Sequence, residues 1–168
     1  SAFNPVAAEA VTWTREQLSA EDRQWLCELR YVRLLAHFSI VHGTMGSPRY
    51  WGYVQDASDA AASFTYQSTV LCFHGHTHVP QVFIDDGIEV DGGTFEHLKL
   101  EVGKRYFVNV GSVGQPRDGD PRASYCVYDA KNETVELIRI NYDIETAQKK
   151  ILEAGLPERL AERLEVGK

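Results

Sequence analysis

The chain has 168 residues, a formal net charge of −7 and three cysteines. This length suggests one domain, and a content of 43% hydrophobic and 24% charged residues is ordinary for a globular protein. No apolar run is long enough to cross a membrane, and the acidic balance argues against general nucleic-acid binding, which relies on clustered lysine and arginine. An odd number of widely spaced cysteines favours reduced thiols, so we expect a cytoplasmic protein.

The first part of the chain is predicted to hold two capped helices, a strand and a long loop. Asn4 followed by Pro5 is typical of a helix start, because asparagine caps the helix and proline fits its first turn. Ser19, with Asp22 three residues later, is a second capping pattern. In chain order, the predicted elements are a helix from Asn4 through Leu18, a helix from Ser19 to Leu29, a strand over Phe38–Val41 and a short helix over Ala60–Gln67.

The rest of the chain is predicted to be mostly β-structure followed by two helices. The apolar run Val70–Phe73 has the length of a buried strand, and Asp91-Gly92-Gly93 is a turn pattern. The other predicted elements are strands over Gln81–Asp85, Phe95–Glu101, Tyr106–Val110, Ser124–Asp129 and Thr134–Ile140, and helices over Ile144–Ala154 and Pro157–Leu164. This order favours a layered α/β or α+β domain rather than a helix bundle or an up-and-down barrel.

Three histidines follow the first two apolar strands. His42 comes directly after one strand, and His76 and His78 lie just beyond the other. If these strands are neighbours, the three imidazoles meet at the carboxyl ends of the strands, where open α/β sheets bind ligands. Imidazole is a good ligand for zinc, iron, manganese or nickel, and Gly75 is expected to let the backbone turn sharply beside them. For His74 we expect a supporting or packing role.

Two other kinds of site fit the sequence poorly. A cupin also carries a His-x-His pair, but it needs a glutamate four or five residues after the second histidine, where Val82 and Phe83 stand. A nucleophilic cysteine has no good candidate, because the three cysteines lie in helix or strand patterns and are predicted to act as small core hydrophobes.

Three segments together resemble the calcineurin-like metallophosphoesterases. They are Ile40–Gly43, Cys72–Pro80 and Phe107–Arg117, with the last carrying an N-x-G-S-x-G-Q-P-R sequence. The resemblance is to the compact bacterial branch, similar to diadenosine tetraphosphatases and small prokaryotic phosphodiesterases. It implies a layered α/β/β/α sandwich that hydrolyses a phosphomonoester or phosphodiester with two metal ions and activated water. The implied substrates are phosphorylated small molecules, nucleotides or phosphoproteins.

The resemblance also implies roles for individual residues. His42 and His76 would bind the second ion of a dinuclear pair and His78 the first, with manganese, iron, zinc or nickel as the divalent ions. Gly75 and Arg117 are the candidate substrate-binding residues, because arginine can meet phosphate bidentately. A surface turn that merely exposes Arg117 is the alternative.

The family's remaining motifs do not occur in Ser1–Val41. These are D-x-H, GD-x-x-D and GNH, which supply metal-binding carboxylates and the general-acid histidine. Two divalent ions bring a charge of about +4, which three neutral imidazoles cannot offset. We therefore expect residues 1–168 to be the C-terminal larger part of a single metallophosphoesterase domain, with its first strands in a missing N-terminal segment and with no activity on its own.

Two other functions stay open at this point. One is a degenerate, non-catalytic phosphoesterase fold that serves as a binding or scaffold module. The other is a single-metal hydrolytic site built from the three histidines alone. Tyr50, Trp51 and Tyr53, in the loop after His42, either line a substrate pocket and stack on a base or simply cover the core.

Overall fold

The computed structural model describes residues 4–168 in two compact units. One unit comprises residues 4–30 and Tyr142–Val166, and the other comprises Tyr31–Asn141 with Gly167–Lys168. No helix among the described residues has the length and apolar character needed to span a bilayer. The assignment of residues 1–168 to one domain stays a prediction.

The first unit is helical, and its first two helices begin at the predicted caps. The helices of this unit are α1 (Pro5–Gln17), α2 (Ala20–Glu28), α4 (Ile144–Glu153) and α5 (Glu158–Val166). The Asn4 side chain accepts a hydrogen bond from the Ala7 backbone, and Ser19 and Asp22 form a reciprocal capping box. The α4 and α5 helices pack together, and Gln148 Nε2 donates to the Ala161 carbonyl at 3.0 Å.

The second unit holds two β-sheets and helix α3 (Ala57–Phe64). Six strands form the larger sheet in the order β1-β2-β3-β7-β4-β5, and three form an antiparallel sheet in the order β6-β9-β8. The strands are β1 (Val32–Leu34), β2 (Phe38–Val41), β3 (Leu71–His74), β4 (Gln81–Asp85), β5 (Val90–Gly93), β6 (His97–Lys99), β7 (Arg105–Asn109), β8 (Ala123–Asp129) and β9 (Thr134–Ile140). The β2, β3 and β7 strands run parallel to one another in the middle of the larger sheet.

The larger sheet is covered on both faces. On one face, Cys72 and Phe107 form a buried cluster with Phe64 of α3. On the other face, Leu71 and Tyr106 pack in a cluster with Val135 of β9. Burial on both faces explains why the β3 and β7 sequences are continuous apolar runs rather than alternating patterns. The order of helix, sheet and sheet in this unit confirms the predicted layered α/β class.

Three predicted elements differ most from the structure. The expected turn at Asp91-Gly92-Gly93 belongs to strand β5, which pairs antiparallel with β4. Gly92 is accommodated there because the Phe83 ring occupies the place of its missing side chain. The helix predicted over Ala60–Gln67 starts earlier, because the Asp56 side chain caps it by accepting from the Asp59 backbone, and it ends at Phe64. The strand predicted over Phe95–Glu101 is shorter, with only His97–Lys99 paired to β9.

Gly111, just beyond β7, tests how tightly the second unit is packed. Its φ is +77°, and a Cβ at this position would collide with Ser124 Oγ. We expect Gly111→Ala to lower the free energy of unfolding by about 2–4 kcal/mol, from backbone strain and overpacking together. Urea denaturation measures the change. Gly114→Ala is the matched control, since nothing lies near the added methyl group, and an equal loss in both variants would contradict this account.

Candidate metal and phosphate site

Parallel strands bring the predicted site residues to one edge of the larger sheet. The β2 strand pairs with β3, and β3 pairs with β7 in a register that sets His74 opposite Asn109. Just beyond these ends, the Gly75 backbone N–H donates to the His42 carbonyl at 3.0 Å. The His42 Nε2 and His76 Nδ1 atoms then lie 2.9 Å apart. The predicted convergence of these two histidines is therefore present.

The sharp backbone turns fall on the histidines themselves. His76 has a φ of +70° and His78 a φ of +63°. Gly75 does not have a positive φ, and a Cβ there would lie 3.9 Å from the His42 carbonyl oxygen, an ordinary contact. The expectation that Gly75 makes the turn was wrong. Non-glycine residues in this left-handed region are strained by roughly 1–3 kcal/mol each, and such strain is concentrated at functional sites.

Asn109, at the end of β7, holds this strained segment in place. Its fully buried side chain donates from Nδ2 to the Gly75 carbonyl at 2.9 Å and to Thr77 Oγ1 at 2.8 Å. Its Oδ1 accepts from the Gly111 backbone N–H at 2.9 Å. One amide thus joins the histidine loop to the loop after β7. The sequence signal for this role was the asparagine of the N-x-G-S segment, whose strand-and-loop position was predicted but whose bonding was not.

Backbone carbonyls orient two of the three imidazoles. His78 Nδ1 lies 2.7 Å from the Gln115 carbonyl oxygen. Because a carbonyl only accepts, the proton of the neutral ring sits on Nδ1 and the lone pair sits on Nε2. A hydrogen bond between the His76 ring and the Trp51 backbone acts in the same way. Carbonyl-anchored rings of this kind are typical of metal-binding histidines.

The electrostatic environment favours the neutral forms of His42 and His76. Burial lowers the pKa of His42 below its usual value of 6.5. Burial also lowers the pKa of His76, as does repulsion from the Arg117 cation and from His42 and His78 when those rings are protonated. Neutral imidazoles have the lone pairs that a metal requires, so these rings are ready to bind one at neutral pH.

An aromatic loop forms one wall of the site. The centroids of the Tyr53 and His76 rings are 4.2 Å apart, with 30° between the ring planes, and the centroids of the Trp51 and His42 rings are 4.8 Å apart. Gly43 permits this approach, because a Cβ there would be 2.6 Å from the Gly52 carbonyl oxygen. Of the three loop aromatics, Trp51 and Tyr53 contact the site histidines, whereas Tyr50 is 87% exposed.

Arg117 lies beside the histidines. Its backbone N–H donates to the His78 carbonyl at 3.2 Å, and one terminal guanidinium nitrogen donates to Gln115 Oε1 at 2.8 Å. The charge of Arg117 contributes to the lowered pKa of His76. Arg117 therefore lies near the histidines, and its role in substrate binding stays a prediction.

The histidine pair fits a metal ion, although no full ligand set is assembled. Within residues 4–168, no group of three or more His, Cys, Asp or Glu side chains is arranged to hold a metal. The 2.9 Å between His42 Nε2 and His76 Nδ1 would allow both nitrogens to bind one ion. The three-histidine ligand assignment stays a prediction. His74 is buried against Phe107, with ring centroids 4.1 Å apart.

Comparison with known proteins places the chain in a family. Residues 14–133 match the calcineurin-like phosphoesterase superfamily domain. An uncharacterized protein of Methanocaldococcus jannaschii is 36% identical over 172 residues, which cover 99% of this chain and 68% of that protein. The chain belongs to the calcineurin-like phosphoesterase superfamily.

Two solved structures share the fold. The crystal structure of a metallophosphoesterase from Sphaerobacter thermophilus is 40% identical, with a TM-score of 0.87, and the match covers all of this chain and 70% of that one. A hypothetical protein from Pyrococcus horikoshii is 19% identical, with a TM-score of 0.75, and the match covers 63% of that chain. The second likeness concerns the fold alone.

Loss of the Asn109 amide should loosen the site. We expect Asn109→Ala to lower the free energy of unfolding by about 2–4 kcal/mol, because the Gly75 carbonyl and the Gly111 N–H lose their buried partner. Urea denaturation measures the effect. Asn132→Ala, which removes an exposed amide bonded to Asp129, should change the stability by only about 0.5 kcal/mol. An Asn109→Ala variant as stable as Asn132→Ala would show that the Asn109 side chain does not hold the histidine segment in place.

His74 should make the metal-free chain less stable in acid. Its side chain is 2% exposed, both ring nitrogens lack a partner among the described residues, and burial lowers its pKa from 6.5 to about 3. The unfolded chain therefore binds the proton first, so stability is full above pH 6.5 and falls as the pH drops toward 3. Between pH 7 and pH 5 we expect a loss of about 2 kcal/mol from this residue, at 1.36 kcal/mol per pH unit.

Urea denaturation at several pH values, with a chelator present, checks this dependence. The His74→Leu variant should lose most of the slope and keep only the smaller contributions of His42 and His76, whose pKa values are also lowered. An unchanged slope in His74→Leu would show that another group titrates.

Proposed function

We propose that this protein is a metal-dependent phosphoester hydrolase that acts on phosphomonoesters or phosphodiesters. The observation that carries the proposal is the pairing of His42 Nε2 with His76 Nδ1 at 2.9 Å, beside a guanidinium, in a chain of the calcineurin-like phosphoesterase superfamily. Two metal-binding nitrogens next to a fixed positive charge suit a ligand that is itself an anion.

The proposed cofactors are two divalent transition-metal ions, chosen from manganese, iron, zinc and nickel. His42 and His76 would hold one of them, and His78 would hold the other through Nε2. When bound, such ions supply Lewis-acid polarisation of phosphoryl oxygens and lower the pKa of water. The expectation that a preceding segment supplies the carboxylates that balance their charge stays a prediction.

The chain's own side chains contribute binding and orientation. The Arg117 guanidinium would donate N–H hydrogen bonds to the phosphoryl oxygens. These hydrogen bonds would be stronger than in water because the site is partly shielded from solvent. The proposed substrate-binding role of Gly75 is supported by its position between the His42 carbonyl and the histidine turn, where the absence of a side chain leaves room. In the overall reaction the P–O ester bond breaks, water supplies the new P–O bond, and the alcohol leaves with a proton.

The substrate would be a phosphorylated small molecule, a nucleotide or a phosphoprotein. A cytoplasmic location is part of the proposal, and it is supported by the three free cysteines Cys27, Cys72 and Cys126.

Histidine variants of the full-length protein test the proposal. We expect His76→Ala and His78→Ala each to lower kcat/KM for p-nitrophenyl phosphate or bis(p-nitrophenyl) phosphate at least about 100-fold, because each removes a metal ligand. Metal content measured on the same samples should fall in parallel, and a chelator should abolish wild-type turnover until metal is restored.

His97→Ala is the matched control. This histidine lies on β6 with its side chain 76% exposed, so its loss should leave both turnover and metal content unchanged. Unchanged activity in both His76→Ala and His78→Ala would overturn the ligand assignment. Absence of metal binding and turnover in the wild-type protein would favour the non-catalytic binding module instead.

A further inference from the structure

A cavity lies beside the site histidines, and none of His42, His76 and His78 lines it. Its volume is about 360 Å³, and its walls are Tyr53, Gln55, Thr77, Val79, Gln81 and Arg117. Two of its lining residues contact these histidines. The Tyr53 ring packs on His76, and the Arg117 backbone N–H donates to the His78 carbonyl. A ligand whose phosphoryl group lies at the histidines would therefore have its organic part within reach of this cavity.

One wall of the cavity is a half-exposed aromatic ring, that of Tyr53. The Tyr53 ring is tilted by 30° on the His76 ring, yet the residue is 52% exposed and lines the cavity. An aromatic ring held on one side by packing is a rigid platform for a second flat group on the other side. Flat heteroaromatic groups stack on such platforms regardless of their exact identity.

The polar walls complement the edge of a flat group. Gln81 Nε2 donates to the Val54 carbonyl at 3.1 Å, which fixes the amide and leaves Oε1 as its acceptor. Thr77 Oγ1 already accepts hydrogen bonds from Asn109 Nδ2 and from the Val79 N–H, so the Thr77 hydroxyl can act toward a ligand as a hydrogen-bond donor. Arg117 adds a cation. Donors and an acceptor therefore surround one aromatic platform.

We infer that this cavity binds the organic part of the phosphoester substrate and selects a planar heteroaromatic group with hydrogen-bonding edges, stacked on Tyr53. The inference rests on the proposed function, because it assumes that the phosphoryl group lies at the histidines. A small aliphatic group, such as that of phosphoserine, would leave the Tyr53 face uncovered. The volume is at the lower end of small-molecule pockets, which suits one ring system rather than a long chain.

Binding measurements on full-length protein in a chelator test the cavity without turnover. The probes are adenosine monophosphate and ribose 5-phosphate, which share the phosphate and the sugar and differ in the base. By calorimetry, adenosine monophosphate should bind at least about tenfold more tightly. Tyr53→Ala should bring the two affinities within about twofold of each other, and Tyr53→Phe should keep the difference.

Two further variants make the result independent of any damage from Tyr53→Ala. Tyr50→Ala is the matched control, because this tyrosine is on the same loop and does not line the cavity, and it should keep the tenfold difference. Gln55→Trp fills the cavity from an exposed position and should remove the difference. Equal binding of the two probes to the wild type, or an undiminished difference in both Tyr53→Ala and Gln55→Trp, would overturn the inference.

The outcome is separable from that of the proposed function. If the protein hydrolyses p-nitrophenyl esters but binds adenosine monophosphate and ribose 5-phosphate equally well, the proposed function is supported and the inference about the cavity is refuted. Base-dependent binding without any turnover would support the pocket and count against the hydrolase.

Discussion

The site depends on the parallel pairing of β2, β3 and β7. Parallel strands end at the same edge of a sheet, so whatever follows each strand is delivered to one place. Here the three strands deliver His42, the His76–His78 turn and Asn109. The pairing is stable because both faces of the strands are covered, by α3 on one side and by the smaller sheet on the other. Burial of apolar side chains thus fixes the position of polar ones.

The same edge carries backbone strain. His76 and His78 both adopt positive φ values that alternate with ordinary residues, which turns the two rings toward different partners. The buried amide of Asn109 offsets this strain by bonding to both sides of the turn. A rigid, over-determined turn of this kind keeps imidazole nitrogens in position before any ligand arrives, which is the condition for tight metal binding.

The sequence predicted the layered class, most strands and the pairing of His42 with His76, because these follow from apolar runs and their ends. It did not predict that His76 and His78 carry the left-handed conformations, since glycine at position 75 is the residue that local propensity favours for a turn. Strand β5 was missed for a related reason: Gly92 follows turn chemistry in the sequence, but the Phe83 ring needs the space beside it. The Asn109 bonds and the Tyr53 contact depend on tertiary approach, which no local pattern encodes.

Gly43 has a consequence for how such a protein diversifies. By lacking a side chain, it lets the segment around Trp51 and Gly52 lie directly on the strand end. The three histidines lie within four residues of a strand end, whereas the aromatic wall comes from further along the loop that follows His42. The same loop also supports the histidines, because the Trp51 backbone bonds to the His76 ring and the Tyr53 ring packs on it. Under the proposed function, side-chain changes in this loop would therefore alter recognition and the position of His76 together, and Gly43 is the residue that couples the two.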